Sequence, residues 1–92
     1  MTTENKVLLI EGKFAPEEAK KILLTLLDDK IKFHKDEMFS IKEMYSGDTS
    51  HSEMRINALN ESRNKLLELL EKARQKQLYL KIHSEINISL IE

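Results

Sequence analysis

The sequence predicts an α+β fold of order β-α-α-β: a long antiparallel helical hairpin with a small antiparallel sheet formed by the N- and C-terminal strands, the sheet extended across a dimer. Three observations carry this reading. Residues 77–91 alternate apolar and polar; apolar residues recur at steps of three and four through residues 17–46 with no Gly or Pro; and a small polar segment then precedes a second helical stretch.

The first element is the apolar run Val7-Leu8-Leu9-Ile10, continued by Glu11-Gly12-Lys13-Phe14, whose length and composition favour a strand over residues 6–14. Alternation places Leu8, Ile10 and Phe14 on one face with Gly12, a residue that marks either a bulge or simple tolerance near a strand end. At Ala15-Pro16-Glu17-Glu18 a helix begins, because Pro suits the first helical position and carboxylates complement the positive end of the helix dipole. Ala15 has no side-chain oxygen to cap it, but Phe14 and Ala19 have the spacing of a hydrophobic staple.

Ile22, Leu23, Leu26, Leu27, Ile31, Met38, Ile41 and Tyr45 define the stripe of this helix, which Leu24 and Phe33 widen, so its first half meets more than one neighbour. Ser46-Gly47-Asp48-Thr49-Ser50 closes it. Ser50 as N-cap with Glu53 three residues on reads as a capping box opening a second helix, striped by Ile56, Leu59, Leu66, Leu70 and Ala73. Each helix is then about 40 Å long, and the short connection makes them antiparallel neighbours.

In the terminal segment Leu78, Leu80, Ile82, Ser84, Ile86, Ile88 and Leu90 share one face, and Tyr79, Lys81, His83, Glu85, Asn87 and Ser89 the other. No Gly, Pro or Asn-Gly pair marks a turn near His83-Ser84-Glu85, which favours one strand over a second hairpin. This strand is longer than the first, so part of it is expected to lack a partner within the chain. A two-stranded sheet is marginal in water, and joining two copies around a two-fold axis would remove its exposed edges.

Composition narrows function without naming it. The 92 residues read as a single domain, 1–92, with 15 basic and 16 acidic side chains, a formal charge of −1, 40% hydrophobic residues, three Phe, two Tyr, no Trp and no Cys. That balance supplies no field toward nucleic acid or an anionic membrane, and the missing cysteines exclude disulfides, thiolate metal sites and a cysteine nucleophile. No apolar run approaches the roughly 20 residues that span a bilayer, and the first residues lack a secretory pattern, so a cytoplasmic location is expected.

Reflecting the helices about a loop centred near Asp48 sets Ile31 opposite Leu66, Met38 opposite Leu59, His34 opposite Arg63 and Glu37 opposite Asn60. His34, Glu37 and Arg63 are therefore the candidate ligand-binding residues, suited to proton transfer or to a small anion. As a purely structural layer, Glu37 and Arg63 would pair at the seam and fix its register, the weightier reading. The loop before the second helix lacks a phosphate-binding pattern and carries Asp48 against an anion.

His34, His51 and His83 are spread over separate elements, with no metal-ligand spacing, and the adjacent pairs Asp28-Asp29 and Asp36-Glu37 diverge on a helix as surface charge. No serine sits in a nucleophile elbow. Lys72, Arg74 and Lys76 complement the negative end of the second helix, which outweighs a nucleic-acid contact. The expectation is a non-enzymatic homo-oligomeric interaction or regulatory module, a dimer with a possible unidentified protein partner, without catalytic residues, metal or cofactor. The alternatives are a small-anion or small-molecule binder or enzyme using His34, Glu37 and Arg63, and a nucleic-acid-associated regulator.

Overall fold

The computed structural model describes residues 3–45 and 47–92, in the order β1 (Thr3–Phe14), α1 (Pro16–Tyr45), α2 (Ser50–Gln75) and β2 (Leu80–Leu90). The β-α-α-β topology is the expected one. Ser46 and the side chain of Tyr45, both used in the sequence reading, lie outside the described residues.

α1 starts at Pro16, and the Ala15 carbonyl accepts its first helical bond from the Ala19 amide at 2.9 Å. Although Ala15 offers no cap, Glu18 reaches back to accept from the Ala15 amide at 3.1 Å, supplying half of a capping box. Along α1, Leu24, Leu27, Ile31, His34, Met38 and Ile41 follow alternating steps of three and four, and all are buried or half-buried. α2 answers with Ser52, Ile56, Leu59, Arg63, Leu66, Leu70 and Ala73 on the same alternation, again all withdrawn from solvent to some degree. The hairpin is thus an antiparallel heptad seam with His34, Ser52 and Arg63 as its polar members.

The cap of α2 differs from the expectation. The helix already includes Ser50, and Thr49 precedes it without a side-chain cap bond. Asp48 does the capping instead: its carboxylate accepts the Ser50 amide at 2.9 Å and also the Ser50 hydroxyl. A charged acceptor two residues ahead of the amide makes an Asx turn and favours the positive helix end, so it displaces the weaker hydroxyl cap.

α2 ends in a Schellman motif with Gln77 in the left-handed position at φ 56°. The Leu78 amide donates to the Ala73 carbonyl at 2.8 Å and the Gln77 amide to that of Arg74 at 3.3 Å. These bonds take residues 77–79 out of the strand, so the alternation becomes a ladder only from Leu80.

β1 and β2 form one antiparallel sheet from Phe14↔Leu80 to Thr3↔Leu90, and β2 is continuous through His83, Ser84 and Glu85. The expected excess of β2 over β1 is overturned. β1 begins at Thr3, because Thr3, Glu4 and Asn5 pair through backbone groups that need no apolar side chain, and its 12 residues cover the 11 of β2. The inequality of the strands therefore gives no argument for a second copy.

A register shift between Leu8 and Ile10 marks a bulge, and it corrects the first strand's predicted face: Ile10 opposes Ser84, whereas Leu8 opposes Glu85 on the other side. Gly12 is not the bulge. It holds φ +148°, a backbone state open to glycine, and the Phe14 ring lies 3.5 Å from where a Cβ would stand.

Burial is concentrated at few places. Ile10, Ala19, Ile31, Leu70 and Ala73 are the buried apolar residues among those described. Ile31 and Leu70 each stabilise the hairpin by about 1.5–3 kcal/mol, whereas two alanines add little area. The chain measures 50 × 34 × 15 Å with a radius of gyration of 16.7 Å, against about 12 Å for a compact domain of this length.

Candidate functional site

Two of the three candidate residues come together. His34 and Glu37 lie one turn apart on α1, which puts them on neighbouring faces, and His34 Nδ1 stands 3.4 Å from Glu37 Oε1. The third group at this carboxylate is not Arg63 but Ser52, whose hydroxyl donates to the same oxygen from α2 at 2.7 Å. Arg63 instead donates through Nε to Asp28 Oδ1 at 2.8 Å. That places Arg63 level with a residue six positions from His34, about 9 Å along the helix axis.

The turn explains the displacement. The chain doubles back along the last turn of α1, where the Gly47 amide reaches the Ile41 carbonyl at 3.4 Å and Thr49 is buried. α2 therefore starts lower beside α1 than a symmetrical reflection about Asp48 allows, which brings Ser52 to Glu37 and carries Arg63 past His34. Glu37 and Asn60 are not paired; the bonds of Glu37 go to His34 and Ser52.

His34 is buried, and its ring meets that of Phe33 edge-on with centroids 5.3 Å apart. Nδ1 faces Glu37, and Nε2 is buried with no protein hydrogen-bond partner, a donor or an acceptor according to where the ring carries its proton. Glu37 is half-exposed, and the Ser52 hydroxyl, followed by His34, holds its carboxyl below the ordinary value near 4.5. The carboxylate is the centre of the trio, so the Ser52 proton points to Glu37 and away from the imidazole. Activation of a serine nucleophile needs the opposite order, with the imidazole next to the hydroxyl. What this arrangement does is tie α1 to α2 through a charged acceptor.

The remaining groups are engaged locally. Asp36 pairs with Lys32 at 2.9 Å, away from Glu37, as the divergence of adjacent helical residues requires. Arg74 is held by Glu71 through Nε at 3.0 Å and Nη2 at 2.5 Å, which neutralises the middle of the Lys72–Lys76 cluster. Among the described residues no group of three or more His, Asp or Glu is placed to hold a metal ion, and no helix is long and apolar enough to cross a membrane.

Sequence reasoning missed Ser52, Asp28 and the exposed pair of His83 with Glu11 on the outer face of the sheet. Ser52 carried a signal: it lies one step before Ile56 on the alternation of α2. His83 carried one as well, since Glu11 and His83 are directly opposed once the strands are in register. No protein-family model, curated protein or solved structure matches the chain.

Proposed function

We propose that this chain is a homo-oligomeric interaction or regulatory module, a dimer in its simplest form, without a catalytic role. One observation supports the reading above the others. The chain exposes 7529 Å² of surface, whereas a compact monomer of 10.8 kDa exposes about 5,500 Å². The excess, about 2,000 Å², is what one subunit of an obligate dimer withdraws from water on assembly. Large apolar side chains make up part of it on both the sheet and the helices, including Leu9, Leu26, Phe33, Ile86 and Ile88.

Size-exclusion chromatography with light scattering at micromolar concentration tests the reading. The expected mass is twice 10.8 kDa or a higher multiple. A stable species at 10.8 kDa with an intact helical spectrum removes it.

A second reading, a small-anion site, has the buried and unpartnered Nε2 of His34 in its favour. It loses the cation that would attract the anion, because Arg63 is committed to Asp28. Thermal shift with inorganic phosphate decides it: a rise in Tm that His34→Gln abolishes would establish the site.

A further inference from the structure

The two faces of the β1–β2 ribbon differ in charge along their whole described length. Residues opposed in an antiparallel ladder share a face, so the register places Phe14, Gly12, Ile10, Val7, Asn5 and Thr3 on one side with Leu80, Ile82, Ser84, Ile86, Ile88 and Leu90. That side carries no ionisable group. The opposite side carries Glu4, Lys6, Glu11, Lys13, Lys81, His83 and Glu85.

The bulge creates this segregation. Were Leu9 paired regularly instead of bulged, strand alternation would turn Glu4 and Lys6 onto the uncharged side and remove Thr3, Asn5 and Val7 from it. With it, every charge at the N-terminal end of β1 goes to the outer face, and the cost is an outward-facing Leu8 that is 58% exposed. A strand loses apolar burial at Leu8 to no advantage unless the face so cleared of charge is itself covered.

Within one subunit it is covered only near the helices. Ile10 is buried, and Leu9 and Ile10 share a groove with Lys21, Ile22, Thr25 and Leu26 of α1. Beyond that groove the uncharged face continues bare, with Val7, Ile86, Ile88 and Leu90 between 42% and 61% exposed. On the helical side Leu26 and Phe33 share a flank of α1 with Ile22 and are also exposed, the Lys30 ammonium standing 4.9 Å from the centre of the Phe33 ring. The groove lies between the two bare stretches, with Ile10 lining it from the ribbon and Leu26 from the helix.

We propose that this surface, the charge-free far half of the ribbon continued onto the Leu26–Phe33 flank of α1, is where a second copy of the chain docks face-on. The inference rests on the homo-oligomeric reading above and names its contact. A second copy is the occupant because the area in excess matches what a dimer removes, and because an uncharged apolar face is its own complement across a two-fold axis. A charged partner would find no countercharge on the ribbon face. Edge-to-edge pairing of strands alone would satisfy backbone groups but leave this face in water.

The test combines the mass of two variants with a labelling rate. Ile86→Asp is expected to halve the mass of the assembly with the helical spectrum retained, whereas Leu8→Asp, on the outer face, is expected to leave it unchanged. Because the chain has no cysteine, Ile88→Cys and Ser89→Cys report the two faces separately by maleimide labelling of the intact protein. Both positions are exposed in the single subunit. Docking is expected to slow labelling at residue 88 by about tenfold relative to residue 89, with the ratio collapsing on dilution.

A wild-type chain that is itself a monomer overturns the homo-oligomeric reading and this contact together. An oligomer whose mass survives Ile86→Asp, or in which the two cysteines label at equal rates, overturns this contact alone. Should Ile86→Asp fail to fold, the labelling ratio decides.

Discussion

Ser52 donates its hydroxyl to Glu37 Oε1 at 2.7 Å, joining α2 to α1 across 15 residues of chain. Ser52 itself is buried, so removing its hydroxyl deletes the link between the helices, while the half-exposed Glu37 carboxylate can still be hydrated. Ser52→Ala is expected to lower Tm by on the order of 5 °C at neutral pH. The pH dependence has a definite sign. Glu37 has a lowered value in the folded chain, so its contribution is complete above its ordinary value near 4.5 and is lost as pH falls through the lowered one. The gap in Tm between wild type and Ser52→Ala should therefore narrow on acidification below pH 4.5. Thermal melts across the acid range measure it, and a constant gap contradicts the assignment.

His83 lies between Glu11 and Glu85 on the outer face of the sheet. The Glu11 hydrogen bond and charge raise its value above the ordinary 6.5, and Glu85 adds to this. A raised value means a contribution complete below 6.5 and lost as pH rises through the folded value. Glu11→Gln is expected to move the NMR titration of His83 down toward 6.5 and to weaken the ribbon on the acid side only. An unchanged titration midpoint would show that the cross-strand pair does not form.

Gly12→Ala isolates a backbone effect. Space for the methyl exists, since the Phe14 ring atoms stand at an ordinary 3.5 Å, but φ +148° is strained for any L side chain. The expected loss is about 1–3 kcal/mol in denaturant unfolding. A neutral outcome would mean that the backbone there relaxes to an extended conformation.

Arg63 and Asp28 form a partly exposed pair, so a double-mutant cycle with Arg63→Ala and Asp28→Ala should return a coupling of about 0.2–1 kcal/mol that shrinks in salt. The same cycle run against Glu37→Gln should give no coupling with Arg63. A coupling between Arg63 and Glu37 would restore the polar layer read from the sequence.

The four elements and their order were legible because the helices keep steps of three and four, β2 keeps a period of two, and the core of β1 is a short apolar run of strand length. Where periodicity fell silent, the reading failed. Thr3, Glu4 and Asn5 extend β1 without an apolar residue to announce it. The bulge hid inside Val7-Leu8-Leu9-Ile10, since a run that is apolar at every position carries no parity to be shifted. The trio at Glu37 was half legible. His34 and Glu37 follow from helical spacing, but which residue meets them depends on how the chain turns back at Gly47 and Thr49, a geometry that no periodicity encodes. A displacement of about two turns then exchanged Arg63 for Ser52.

A body 15 Å deep has no interior far from either of its surfaces. Any local opening in it reaches the chain's few buried residues, so a solitary copy offers proteases an easy substrate. In the dimer proposed above, association would close that route and make persistence depend on concentration. Scarce copies would then be cleared while abundant ones endure, and supply would set the protein's lifetime.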